Sequence, residues 1–337
     1  MTALESGGAE KILYQTVLGS SPKFSHRVIT LRNKGFYCNV LKSNNILVDK
    51  LSFRLLLILI FSSRNRTIIH SYLYHSHLFS IIFKILGFPV IWTIHSSVGH
   101  ASFLVRLVGI FSHFIPSKIV YVSNCNKKQH VKIGYSSKKQ IVIYNGINIA
   151  KYERIKKVNN MKWDRINICM ISRCHTVKNY EKFASIAYFF IKKFTKVKFY
   201  LIGKGNDKKN KNLVTLLSNY RIASNVVLLG EVSDWHMISP RFNLLVSTSK
   251  MESFGLAMLE ALLCGINVST ISLPIMNELL GSYTTNDGNI EDSKMAERWL
   301  VKSRIASSSQ ACGCIKRNYS LDRMLKSYES LYLEIVA

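Results

Sequence analysis

Acids are scarce in this chain. Its 337 residues hold 19 Asp and Glu against 46 Lys and Arg, a formal net charge of +27. From Lys50 to Tyr152 there is no carboxylate at all. Residues 1–155 carry 20 basic and 4 acidic side chains, and the remainder carries 26 and 15. Such an excess points to an anionic partner: nucleic acid, an anionic lipid leaflet or a phosphorylated substrate. A cysteine framework is also missing. Cys312 and Cys314 are too close for zinc-ribbon spacing and no second pair matches them. The other five stand singly, so a reduced compartment is expected. Long apolar runs are absent too. The stretch LLLILIF (55–61) falls far short of the ~20 residues a membrane span needs. The stretch 78–94 is broken by Lys84, Gly87 and Pro89, and 103–122 by Arg106, His113, Pro116 and Lys118. The beginning, MTALESGGAEK, has no apolar run of the signal-peptide kind. No repeat of 20–50 residues is visible, and no helix-turn-helix, zinc-finger or RNA-binding signature.

Present instead is a hydrophobic fraction of 48%, enough for a large core. Short β-branched runs recur, each followed by a longer helical pattern. They are 27–31, 67–70, 89–94, 118–122 and 140–144, then 166–171, 197–202, 225–229, 243–247 and 266–270. These runs are apolar throughout rather than alternating, which marks strands buried on both faces of a parallel sheet. Strand and helix in alternation predict an α/β, doubly wound architecture. The series breaks at 148–165, which is polar and basic, and the linker is placed there. Two Rossmann-like domains are expected, 1–155 and 156–318. A C-terminal helix over 319–337 would follow, with the first domain as a candidate for its packing. In open α/β sheets ligands bind at the carboxyl ends of the strands, so the site is expected in a cleft between the domains.

One stretch concentrates chemistry: SKMESFGLAMLEALLCG, residues 249–265. A strand at 243–247 precedes it, and Leu256, Leu259, Ala261, Leu262 and Leu263 give a helix an apolar stripe that ends at Gly265. Ser253, Phe254 and Gly255 then lie at the helix entrance, where free backbone N–H groups and a glycine suit an anion. Glu252 precedes the helix and Glu260 lies one to two turns inside it. Ionised carboxylates only accept hydrogen bonds, which suits sugar hydroxyls better than phosphate. A phosphate flanked by polyols describes a nucleotide sugar. The alternative is that Glu260 is an ordinary helix-surface residue and Glu252 a charge at the helix N-terminus.

This stretch resembles the E-x7-E motif of family 4 glycosyltransferases. Other segments resemble the family in the same order: GGAEKILYQTVL (7–18), the 72–97 segment ending in T-x-H, the 119–148 segment ending in NGIN, and MISRCHTVKNY (170–180). YLIGKG (200–205), NVVLLGEVSD (225–234) and the terminal 319–335 complete the set. The resemblance implies a GT-B fold and a retaining sugar transferase that needs no bound metal. It implies that Arg173 and Lys178 hold the donor diphosphate and that Glu252 contacts the donor sugar. Phe254, Gly255 and Leu256, beside Ser253, would present backbone amides, and Glu260 would accept from the ribose. Gly203 and Gly205 would line the nucleotide pocket beside Ser172, and Gly7 and Gly8 would form the opposing glycine loop. His95 would lie near the donor sugar, with a buried structural histidine as the alternative. Departures from the family pattern are Ser172 in place of glycine, Asn267 in place of proline, and only MTALES ahead of Gly7.

The function these readings imply is transfer of a hexose or amino sugar from a nucleotide-diphosphate sugar to a glycan or undecaprenyl-linked acceptor. The setting is bacterial surface polysaccharide synthesis: capsule, O-antigen, lipopolysaccharide or exopolysaccharide. The enzyme is expected to be cytoplasmic and peripheral, its basic first domain against the anionic inner face of the plasma membrane. The rival classes are a catalytically silent scaffold homologue and a basic nucleic-acid-binding protein, although no nucleic acid partner is expected.

Overall fold

The computed structural model describes residues 1–5, 7–32, 35–52, 55, 57, 63–98, 102–153, 155, 165–271, 273–283, 287–305 and 307–337. Ser6 of the leading segment, most of the 55–61 run and residues 156–164 of the expected linker lie outside them. The chain forms two compact units, Met1–Gly146 with Tyr319–Ala337, and Ile147–Asn318.

The first unit contains α1 (Gly8–Gly19), β1 (Arg27–Thr30), α2 (Phe36–Ser43) and β2 (Leu47–Lys50). After them come β3 (Ile69–Tyr72), α3 (Tyr74–Ile85), β4 (Val90–Ile94), α4 (Phe103–Phe111), β5 (Lys118–Tyr121), α5 (Asn124–Lys132) and β6 (Gln140–Val142). The pair β1–β2 and the sheet β3-β4-β5-β6 are both parallel. Every residue of β4 is buried, as an uninterrupted apolar strand requires. Met1 donates its amino group to Ile29 O at 2.9 Å and accepts from Leu31 N at 3.1 Å. Those two bonds are those of a parallel bridge to Thr30, so the segment before the glycine turn lies along β1, with Met1 and Leu4 buried.

The terminal helix α13 (Leu321–Val336) belongs to this unit. Tyr332 Oη lies 2.8 Å from His70 Nδ1, Ser21 N donates to Glu329 Oε1 at 2.7 Å, and Lys118 pairs with Glu334 at 2.7 Å.

The second unit begins with α6 (Ile149–Glu153), then β7 (Ile166–Ile171), α7 (Tyr180–Lys193), β8 (Val197–Ile202), α8 (Lys211–Asn219) and β9 (Val226–Gly230). It continues through β10 (Leu244–Ser247), α9 (Leu256–Leu263), β11 (Asn267–Thr270), α10 (Pro274–Leu280), α11 (Asp292–Ser303) and α12 (Ser309–Asn318). Its parallel sheet runs β11-β10-β7-β8-β9. Helix α7 buries Tyr180, Phe183, Ala184, Ala187 and Phe190, one stripe at helical spacing. Phe199 of β8 meets Phe183 and Phe190 edge-on at 5.7 and 5.8 Å, and Trp299 of α11 closes the same core. Residues 147–153 group with this unit because α6 packs against α9, Lys151 pairs with Asp234 at 2.9 Å and Glu153 with Lys316 at 2.6 Å. No helix among the described residues is long and apolar enough to cross a membrane.

Candidate functional site

The carboxyl ends of β7 and β10 are adjacent in the second sheet, and the loops that leave them are tied together. Thr248 Oγ1 donates toward Lys178 O and Asn179 O, both at 3.0 Å, and Lys250 N donates to Val177 O at 2.8 Å. Asn179 adopts a left-handed conformation, φ 54°, and its side chain caps α7 by accepting from Lys182 N. These bonds set Lys178 facing Glu252, and the two form an ion pair through Nζ and Oε1. Ser249 Oγ donates to the same Oε1 at 2.9 Å. Glu252 Oε2 has no partner among the described residues and stays an open acceptor. Arg173, in the same loop as Lys178, is exposed and makes no ion pair among the described residues. Two cations with unspent donors, beside a carboxylate with a free oxygen, suit an anionic group joined to a polyol.

Gly255 stands at the head of α9 in the left-handed region, φ 87°, where a side chain would be strained. Phe254 is buried, while Ser253 and Leu256 are half-buried. Glu260 is not the helix-surface residue of the alternative reading: it is 3% exposed, among Leu259, Ala261 and Leu262 on the buried part of α9. The strand-end glycines have a packing duty. A Cβ on Gly203 (φ 127°) would lie 2.4 Å from Ser172 O, and one on Gly205 (φ 81°) would lie 3.1 Å from Cys174 Cβ. Ser172 O accepts from Asn206 Nδ2 at 2.7 Å and from Tyr180 Oη at 3.2 Å. Gly203 and Gly205 therefore hold the Arg173 loop against β8.

Gly7, Gly8 and His95 belong to the first unit. Gly7 is extended at the entrance of α1 and Gly8 opens the helix. A Cβ on Gly7 would lie 2.2 Å from Glu10 Oε2, so this helix entrance is already covered by a carboxylate. His95 follows β4, buried and stacked on Tyr72 at 5.4 Å. Burial pulls its pKa down to about 3, which leaves a neutral imidazole near pH 7. Its Nε2 is buried without a hydrogen-bond partner among the described residues. Of the neighbouring histidines, His70 is bonded at both ring nitrogens, with Nε2 2.6 Å from Thr93 Oγ1, whereas His77 is bonded at Nδ1, 2.7 Å from Ser71 Oγ, and not at Nε2 among the described residues.

Thr248, Ser249, Tyr180 and Asn206 escaped the sequence reading. The signal available for the first two was the run of short hydroxyls, Ser247-Thr248-Ser249, at the carboxyl end of an apolar strand.

Known proteins share this arrangement of chain and sequence. The family model described as Glycosyltransferase Family 4 matches residues 7–151, and that described as Glycosyl transferases group 1 matches residues 151–311. The chain belongs to the family 4 glycosyltransferases. Among relatives of this family 4 chain, one subunit of the human phosphatidylinositol N-acetylglucosaminyltransferase is 26% identical over 66% of this chain and 46% of its own length. The Escherichia coli O-antigen biosynthesis glycosyltransferase WclY is 24% identical over 58% of this chain and 56% of its own. The chain thus spans about half the length of these curated relatives. The structure of Anabaena Alr3699/HepE in complex with UDP and glucose superposes with a TM-score of 0.84 at 17% identity, covering 98% of this chain and 97% of that one. Likeness at that identity establishes the fold, which is GT-B with two Rossmann-like units.

Proposed function

We propose that this family 4 member transfers a hexose or amino sugar, with retention, from a nucleotide-diphosphate sugar to a glycan or lipid-linked acceptor. The observation that carries the reading is the Lys178–Glu252 pair beside the exposed Arg173, at the carboxyl ends of β7 and β10. In this reading Arg173 and Lys178 hold the diphosphate, and their charge answers the negative charge that grows on it as the glycosidic bond breaks. No bound metal is required for that. Oε2 of Glu252 accepts from a donor-sugar hydroxyl, the amides at the head of α9 face the sugar and phosphate, and Glu260 accepts from the ribose. The bond from the anomeric carbon to the diphosphate oxygen breaks on the face where the acceptor oxygen bonds, and the acceptor proton passes to the departing diphosphate. His95, kept neutral by burial, serves as a hydrogen-bonding group rather than a cation.

The O-antigen biosynthesis named for the WclY relative supports a place in bacterial surface polysaccharide synthesis. The basic first half, acid-free from Lys50 to Tyr152, supports work at the anionic inner face of the plasma membrane. A panel of UDP-, GDP- and ADP-sugars tests the activity, with NMR of the new anomeric centre testing retention. Turnover that survives both Glu252→Ala and Lys178→Ala unchanged would sink the site assignment. Folded protein that turns over no donor would favour a silent scaffold.

A further inference from the structure

Helices α3 and α4 pack against each other, and each exposes a row of large apolar side chains. On α3 the inward positions are Ser76, His77, Ser80 and Phe83. Phe79, Ile82 and Ile85 point to solvent, Ile85 at 80% exposure. On α4 Val105, Val108 and Gly109 face inward. Phe103 and Ile110, seven positions apart and so on one side of the helix, are 81% and 61% exposed, and Phe114 just beyond is 70% exposed. A water-facing helix surface carries polar residues at such positions, so two adjacent helices that both expose large apolar side chains there mark a docking surface.

Charge selects what docks. Arg106 lies on the same side of α4 as Phe103 and Ile110, and Lys84 stands near the end of α3, both exposed. Lys139 Nζ reaches His113 O, next to Phe114, at 3.3 Å. No carboxylate lies anywhere from residue 51 to 152, the stretch that contains both helices. A twofold contact between two copies would set these cations against each other with no acid on either helix to meet them. A nucleic acid would satisfy the cations and leave the phenylalanines against phosphate. An anionic bilayer satisfies both, with headgroups for the cations and the acyl boundary for the apolar tips.

We propose that the α3–α4 face is the surface by which this chain docks on an anionic membrane, inserting Ile85, Phe103, Ile110 and Phe114. The inference rests on the membrane partner of the preceding reading and gives that partner a site. The test is sedimentation with phosphatidylcholine vesicles, with and without phosphatidylglycerol, in the absence of any sugar donor, so that docking and transfer are read separately. The protein is expected to bind the anionic vesicles, to bind them less as salt rises, and to bind neutral ones weakly. The variant Ile85→Ser/Phe103→Ser/Ile110→Ser/Phe114→Ser is expected to lose about tenfold or more of that binding. It should keep its melting temperature and its donor turnover with a water-soluble acceptor. If the quadruple variant misfolds, Phe103→Ser and Phe114→Ser singly carry the same comparison. Unchanged binding by the folded variants would overturn the proposal, as would equal binding to neutral vesicles. A wild-type dimer that the variants abolish would also overturn it, by giving the face to a second copy.

Discussion

Lys178 and Glu252 show how much the site depends on single side chains. Glu252→Ala removes the carboxylate and leaves the half-buried Lys178 ammonium without its counter-ion, and Lys178→Ala does the reverse. Each is expected to lower kcat by about 100-fold or more, the usual effect of deleting one preorganised charged contact to a developing charge. Steady-state kinetics across the donor panel reads it. Glycine substitutions separate by what surrounds them. Gly203→Ala places a Cβ 2.4 Å from the Ser172 carbonyl at a φ of 127°, which rigid backbone cannot relieve. A loss of about 2–3 kcal/mol is expected from that strain, visible as a lower midpoint in urea unfolding. Gly7→Ala meets only the end of the Glu10 side chain, which can swing away, so its midpoint is expected to stay close to wild type. At this scale Glu252 could be singled out in the sequence because acids are rare, and Lys178 and Arg173 because their segment resembles the family 4 motif. The stitches from Thr248 and Ser249 could not, since a hydroxyl's partner is set by which loop the sheet brings beside it. The stacking of His95 on Tyr72 depends in the same way on which strand the sheet brings beside it.

At the scale of elements, apolar runs were a sound guide wherever the strand was buried by hydrocarbon. The run 166–171 is β7 and 197–202 is β8 without a shift. The run at 67–70 slid to Ile69–Tyr72. Its later residues, His70 and Ser71, enter the interior through hydrogen bonds to Thr93 and His77, which no hydropathy pattern shows. The strand β2, Leu47–Lys50, went unread because it has one buried residue and two charges in four positions. Polar clamps between elements are equally silent. Asp287, with its side chain 4% exposed, pairs with Lys302 at 2.8 Å and Arg298 at 3.3 Å, and accepts from Ser269, so α11 is fixed to β11 through one carboxylate. Asp287→Ala would take the counter-ion from the half-buried Lys302 ammonium, whose Nζ also donates to Val268 O at 3.4 Å. It is expected to cost about 2–3 kcal/mol, read from the urea midpoint, while Asp287→Asn, which keeps a hydrogen-bond acceptor, should cost less.

Across the whole molecule, the buried imidazoles with depressed pKa values gather in the first unit. Burial holds His70 and His95 at about 3 and His130 at about 4, and pushes His77 down as well. In the unfolded chain each takes a proton near pH 6.5, so the unfolded state binds more protons below that pH and folding stability falls with it. Stability is expected to hold above pH 7 and to drop as pH passes below about 6.5. Each histidine contributes a slope of at most about 1.4 kcal/mol per pH unit until its folded pKa is reached. Melting temperatures at pH 7.5, about 6.5 and about 5.5 check this, and a flat profile would contradict it. The placing of α13 bears on the order of events at the ribosome. The second unit is one continuous stretch, whereas the first needs Tyr319–Ala337 to cover His70 and to pair with Lys118 at the start of β5. During synthesis the later unit has all its parts first. The earlier one waits, with His70 uncovered, until α13 emerges, and that interval is when a chaperone would find it.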